Sequence, residues 1–309
     1  MPAPTTQKTM STIAWGWLLL LGALWGISFV FSKIAVTEVE PFTLVFIRVL
    51  LAALILHAVC LARGVRLPTT LKAWFDYSVM GFFNSGLAFG LIFWAQQFTD
   101  ASLSAILIAA APFFTVLLAG LLLPDERFST SKVAGIIIGF AGVVLVIGPG
   151  HLAGLGENLI AEMVLLLAAL SYAISSVWGR RFAGEEPLAT SAGQLTASAA
   201  LMLPLALIFE NPLQMTMPSP IVIGSVIALA TLSTALAYIL FFRILKMVGA
   251  TNTTMVGMLI PVFTMLFAVP ILGETISMLK IMGMIVIAIG MMVLDGRPVK
   301  ALAKRFNRA

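Results

Sequence analysis

Charge is scarce in this chain. Aspartate, glutamate, lysine and arginine make up 10% of its 309 residues, against 61% hydrophobic, and the mean hydropathy is +1.08. A water-soluble domain has no means of hiding so much apolar surface. Cysteine is nearly missing. Cys60 stands alone, which excludes an intramolecular disulfide and a cysteine-built metal cluster; inside an apolar run it reads as a packed thiol. HExxH, GxSxG and P-loop patterns are absent, so the chain lacks the residue sets of zincins, serine hydrolases and P-loop enzymes. No lysine stands at the centre of an apolar run, as a Schiff-base photoreceptor would need. These absences leave an expectation of no enzyme activity, no cofactor, no metal and no nucleic-acid partner.

What is present is membrane-length apolar sequence. A spanning helix takes about 20 mostly apolar residues. Segments of that kind cover 12–34, 42–62, 73–96, 101–123, 132–148, 158–179, 188–208, 220–242, 252–272 and 277–294. The expected fold is all-α and integral to the membrane, with ten crossings that leave no room for a soluble domain. The first segment is too long for a cleavable leader and lacks an early small-residue cleavage site.

Basic residues collect on the cytoplasmic side of membrane proteins. Here Lys8, Arg63, Arg66, Lys72, Arg127, Lys132, Arg180, Arg181, Arg243, Lys246 and the tail Arg297, Lys300, Lys304, Arg305 and Arg308 fall on one set of alternate connections. The opposite set carries mainly Glu38, Glu40, Asp100, His151, Glu157, Glu210 and Glu274, with only Lys33 and Lys280 near it. Fifteen of the eighteen basic residues thus predict that both termini are cytoplasmic, in a bacterial inner membrane. Trp15, Trp17, Trp74, Tyr77, Trp94 and Trp178 lie near segment ends, as interfacial anchors do.

The chain also repeats itself. With Pro112 set against Pro261, Ala101 meets Ala250, Asn84 meets Ser233, Ser85 meets Thr234 and Phe89 meets Tyr238. After a one-residue slip, Glu126 meets Glu274, Gly135 meets Gly283 and Gly142 meets Gly290. Earlier, Glu40-Pro41 meets Glu186-Pro187, and Arg48 meets Gln194. The halves are 1–148 and 158–295, followed by a basic tail, 296–309. Five crossings per half is an odd number, so the second half runs inverted. Inverted repeats belong to secondary transporters, with solute bound at the midplane between them.

The stretches ILIAAAPFFTVLLAGLLLPDERFSTSKVAGIIIGFAGVVLV and MVGMLIPVFTMLFAVPILGETISMLKIMGMIVIAIGMMVL carry a resemblance. Each has a proline-centred helix, an acidic loop and a glycine-rich helix. They resemble the EamA units of the drug/metabolite transporter superfamily, across nearly the whole chain. The overall character is similar to its YddG-like amino-acid exporters. The resemblance implies export of amino acids, including aromatic ones, or of other metabolites. The second loop has GET where the first has DER, so the two acidic loops need not share one role.

Polar groups within hydrocarbon turn toward the bundle interior. The candidate cavity residues are Trp25, Asn84, Ser85, Tyr172, Ser175, Ser233, Thr234 and Tyr238, with Ser171, Ser176 and Thr231 near them. Each of these hydroxyls and amides has an alternative role in holding helices together. Trp25 is mid-segment, between Gly22 and Gly26, and either lines a path or packs. Pro112 and Pro261 free backbone carbonyls one turn earlier and are candidate hinges or cavity walls. Gly135, Gly139, Gly142, Gly283 and Gly290 form small-residue faces for close packing, in the chain or in a weak dimer. Arg48 is the one basic residue well inside a span. It either snorkels to the interface, or serves as a gate to Glu38, Glu40 or Asp100, or as a contact for a substrate carboxylate. Asp76 and Glu162 lie toward segment ends, and His57 is alone. Proton relays need intramembrane carboxylates or histidines, so no obligatory proton coupling is expected. The class that remains is a carrier for small, largely neutral or zwitterionic solutes, or a channel-like facilitator. Segments 1–4 and 6–9 would rock about the cavity, with 5 and 10 peripheral.

Overall fold

The computed structural model describes residues 11–124, 126, 128–148 and 157–296. Lys8, Arg127, His151 and the basic tail beyond Gly296 lie outside the described residues. The described residues are helical, with no strand among them. In chain order they form α1 (Thr12–Ala35), α2 (Pro41–Ala62), α3 (Leu71–Gln96), α4 (Ala101–Leu122) and α5 (Thr130–Ile147). Then come α6 (Glu157–Trp178), α7 (Pro187–Phe209), α8 (Pro220–Val248), α9 (Val256–Leu272) and α10 (Met278–Asp295). Nine of the described helices are long and apolar enough to cross a membrane. The tenth, α9, has 17 residues, about 26 Å at the helical rise, and a turn at Ala250–Thr253 leads into it.

Two rods differ from simple expectation. α4 breaks at Ala109 and Ala110 and restarts at Ala111, with Pro112 in the first turn of the new piece. Proline is tolerated there because its missing N–H has no intrahelical partner anyway. α9 instead runs straight through Pro261, and its own break precedes Val256. α8 is 29 residues long and runs beyond the expected end at 242 to Val248, as an amphipathic last stretch with Arg243 and Lys246.

Helix starts follow local chemistry. Ser11, Thr70, Ser129 and Ser277 each accept a hydrogen bond from the backbone N–H three residues on, which satisfies a donor the helix leaves orphaned. Pro41, Pro187 and Pro220 open α2, α7 and α8.

The packing respects a two-fold exchange of the halves. α5 packs on α10 and α2 on α7, each against its own repeat counterpart. α1 packs on α9 just as α6 packs on α4, and α1 meets α8 as α6 meets α3. Glycines make the closest of these approaches. A Cβ at Gly142 would lie 2.7 Å from Ile287 N, and one at Gly290 2.6 Å from Gly139 N. The small-residue faces of α5 and α10 are therefore consumed within the chain. The outer surface is apolar, with Ile137, Ile227, Leu266 and Ile285 all exposed. Lipid tails can cover such a surface, whereas water cannot without large cost.

Candidate functional site

Both α3 and α8 loosen into a π-helix in mid-span, at Phe82–Leu87 and Thr231–Leu236. The two segments are equivalent in the repeat, since Asn84-Ser85 aligns with Ser233-Thr234. A π turn inserts an extra residue into the ladder and is frequent at functional sites. It leaves carbonyls that side chains can reach. Ser171 of α6 donates to Phe83 O at 2.7 Å, and Thr234 Oγ1 donates to Leu229 O at 2.8 Å.

Polar side chains from five helices meet at these turns. Asn84 Nδ2 donates to the Tyr238 hydroxyl at 2.7 Å and lies 3.5 Å from Gln194 Oε1. Ser175 Oγ lies 3.3 Å from Asn84 Oδ1 and also donates to Tyr172 O at 2.8 Å. Arg48 Nε donates to Thr234 Oγ1 at 2.9 Å. Its guanidinium carbon stacks 3.8 Å from the Phe89 ring centre. The pattern is crossed. α2 reaches the α8 π turn through Arg48, and α7 reaches the α3 π turn through the aligned Gln194.

These groups border one cavity of about 690 Å³. Trp25, Arg48, Asn84, Pro112, Tyr172, Ser175, Ser233, Thr234 and Tyr238 line it. Ser85 is fully buried and Pro261 is buried, and neither is among the lining residues. Trp25 lies 5.7 Å ring to ring from Phe241. Arg48 is 5% exposed. α3 and α8 pack against its helix. Arg48 does not meet the acidic residues weighed as gate partners: Glu38 bonds Ser219, and Asp100 holds Lys280. Composition alone had left out the aromatic walls Phe29, Phe89, Phe93, Phe241 and Phe242, and Gln194. The alignment of Gln194 with Arg48 was the available signal.

One end of the cavity is open. Its mouth includes the exposed Ala183, Gly184 and Glu185 of the α6–α7 connection, and Thr254 before α9. Arg180, Arg181, Arg243 and Lys246 belong to this end of the bundle. The other end is closed by carboxylates that cap helices of the opposite half. Glu274, after α9, accepts from Ala101 N at 2.6 Å and Ser102 N at 3.1 Å at the start of α4. Glu210, after α7, accepts from Phe42 N at 2.8 Å and Thr43 N at 2.6 Å at the start of α2. Glu38, after α1, accepts from Ser219 N at 2.6 Å at the start of α8. Helix N-termini favour negative charge, and charged acceptors make stronger bonds. Lys280 pairs with Asp100 at 2.6 Å, and Lys33 Nζ donates to Gln96 O at 2.5 Å and Thr99 O at 2.8 Å. The two lysines that break the charge rule are thus both held by internal acceptors. The ordinary carboxyl value of 4.5 is lowered at Glu38 by the Ser219 N–H and then by its hydroxyl.

An apolar helical bundle around an aromatic-walled cavity that carries a polar cluster, open at one end and sealed at the other, defines a multi-pass membrane transporter. The sequence profile of the EamA-like transporter family matches residues 12–148 and again 159–294. The chain belongs to the EamA-like transporter family. It is similar to an uncharacterized transporter of Archaeoglobus fulgidus, at 29% identity over 83% of this chain and 88% of that one. It is similar to the uncharacterized transporter YoaV of Bacillus subtilis, at 24% identity over 86% and 91% of the two chains. The uncharacterized inner membrane transporter YedA of Escherichia coli is 26% identical over 89% of this chain and 88% of its own. A solved crystal structure has a similar fold, with a TM-score of 0.65 at 23% identity over 94% of this chain and 98% of that chain.

Proposed function

We propose that the protein is a secondary carrier that exports small zwitterionic metabolites by alternating access. Amino acids, aromatic ones included, are the substrate class that best suits it, as in the YddG-like subgroup. The observation that carries this reading is the half-spanning cavity, open at the basic end and sealed at the acidic end by bonds between the halves. A carrier caught in one of its two states has that form, and a channel would need a continuous path. The chain makes ten crossings in this reading, as two inverted halves, 1–148 and 158–295. Both termini and the tail 296–309 are cytoplasmic, so the open end faces the cell interior. The basic residues of that end support the orientation, and the inner-membrane description of YedA supports the compartment. The working unit is a monomer or weak dimer.

Switching would exchange the seals. Glu126 and Lys132 hold the repeat positions of Glu274 and Lys280. At the open end they pair with one another at 2.7 Å, and Glu126 also lies 4.0 Å from Arg180. Closing that end requires them to engage the α8–α9 connection, as Glu274 and Lys280 engage residues 100–102. Proteoliposomes loaded with unlabelled amino acids and given labelled phenylalanine, leucine or alanine outside test the reading. Saturable counterflow is the expected result. Unsaturable flux without counterflow would instead indicate a facilitator of the channel type, and absence of flux for every amino acid would redirect the search to other drug-like metabolites.

A further inference from the structure

We infer that Arg48 is a fixed receptor for a carboxylate at the blind end of the cavity, and that the transported solute is a monocarboxylate with an apolar or aromatic body. The inference rests on the carrier reading and narrows its substrate class.

Arg48 lies inside a membrane-spanning helix, is 5% exposed, and borders the cavity. A guanidinium buried without an anion is strongly unfavourable. Yet none of the described carboxylates lies within ion-pairing distance of it. The one carboxylate that lines the cavity, Glu185, belongs to the exposed mouth and accepts from the Tyr77 hydroxyl at 3.3 Å. Arg48 spends one donor, Nε, on Thr234, and rests its face on Phe89. Its terminal nitrogens make no hydrogen bond with any described residue. The ring and the threonine therefore orient the guanidinium and leave its two-pronged edge unused. That edge matches a carboxylate with two parallel N–H···O bonds.

The repeat argues in the same direction. A pocket built only for neutral hydrogen bonding could use the same residue in both halves. Here the position that is Gln194 on α7 is Arg48 on α2. The substitution puts a single positive charge on one side of an otherwise balanced site. One cation offsets one negative charge, so a dianionic phosphate would keep a charge unpaired among aromatic walls. Phe29, Phe89, Phe93, Phe241 and Phe242 supply the surface for the remainder of the solute.

Three probes of equal ring size separate the possibilities: 3-phenylpropionate, its neutral carboxamide, and 2-phenylethylamine. Binding to the purified full chain is followed by thermal stabilisation and by fluorescence, with Trp25 at the cavity wall. The carboxylate is expected to bind at least about thirtyfold more tightly than the amide, as loss of a buried charge pair implies. Arg48→Gln should erase that preference by weakening the carboxylate far more than the amide, with unfolding still cooperative, and Arg48→Lys should restore part of it. Equal binding of carboxylate and amide by the wild type, no carboxylate binding, or a preference that survives Arg48→Gln would each overturn the inference. Counterflow keeps the two readings apart. Carboxylate binding at Arg48 without flux in vesicles removes the carrier and leaves the anion site; flux that treats acid and amide alike removes the anion site and leaves the carrier.

Discussion

Gly26 sits where α1 crosses α9, and no larger residue fits there. An added Cβ would lie 2.6 Å from Phe263 Cβ and 3.0 Å from the Thr264 backbone nitrogen. The approach lets Thr264 Oγ1 donate to Gly26 O at 3.0 Å across the helices. Gly26→Ala should lower stability by about 1–3 kcal/mol, the cost of overpacking a tight contact. Gly90→Ala is the matched control, because its Cβ would rest 3.7 Å from the Phe42 ring, an ordinary contact. Unfolding midpoints in one detergent should separate the two variants. The Tyr238 hydroxyl, which receives Asn84 at 2.7 Å, is a second single-residue case. Tyr238→Phe should cost only about 0.6–1.7 kcal/mol, the range for a hydrogen bond between membrane helices, and should slow counterflow more than it lowers stability. Equal losses in both would make the bond merely structural.

Helix ends and π turns are where the elements differ from plain rods, and each has a consequence for gating. Glu274→Gln keeps the shape but removes the charge that caps α4. Two charge-assisted bonds then weaken by a total of about 1–2 kcal/mol, a shift of roughly 5–30-fold between two states. In a background with Cys60→Ala, cysteines at Ser102 and Thr254 can report the two ends separately. Glu274→Gln should raise labelling at position 102 and lower it at 254, and Glu126→Gln should do the converse. Parallel changes in both variants would end the idea of exchanged seals. Glu38 gives the same end a pH dependence with a defined sign. Its carboxyl titrates below the ordinary 4.5, so its contribution to closure is complete above that value. It is lost as pH falls through the lowered value. Labelling at position 102 should stay flat from pH 7 to about 5 and rise only in stronger acid, and Glu38→Gln should remove the rise.

For the molecule as a whole, an unpaired cation in the cavity constrains the transport cycle. Moving the empty site past hydrocarbon exposes Arg48 without a counter-ion, whereas in the loaded site a bound carboxylate pairs it. Exchange of solute for solute should therefore run faster than net efflux, by tenfold or more for each 1.4 kcal/mol of that difference. The spans offer few proton relays. Asp76 is near a helix start, 3.5 Å from Arg181, and the ring of His57 is 2.9 Å from Ala53 O in its own helix. Exchange should accordingly be unchanged by a protonophore, and collapse on its addition would restore proton coupling.

The helical spans and the family were legible in the sequence, because each depends on a property that burial in lipid imposes locally. Twenty apolar residues must be helical when no water can satisfy the backbone. The pairing of Asn84-Ser85 with Ser233-Thr234 likewise needed only alignment. The π turns at those positions were not legible, since an inserted residue in a ladder leaves no composition signal. Nor was the company Arg48 keeps: its span is apolar throughout, and only the approach of α3 and α8 decides that it meets Thr234 and Phe89 and, among the described residues, no carboxylate. Pro112 and Pro261 read alike in sequence, yet one borders the cavity and the other is buried, because the break falls before the first and upstream of the second. Solvation chose the helices and their number along the chain. Which faces meet, and where a void is left between them, followed from packing at distances that sequence order does not encode.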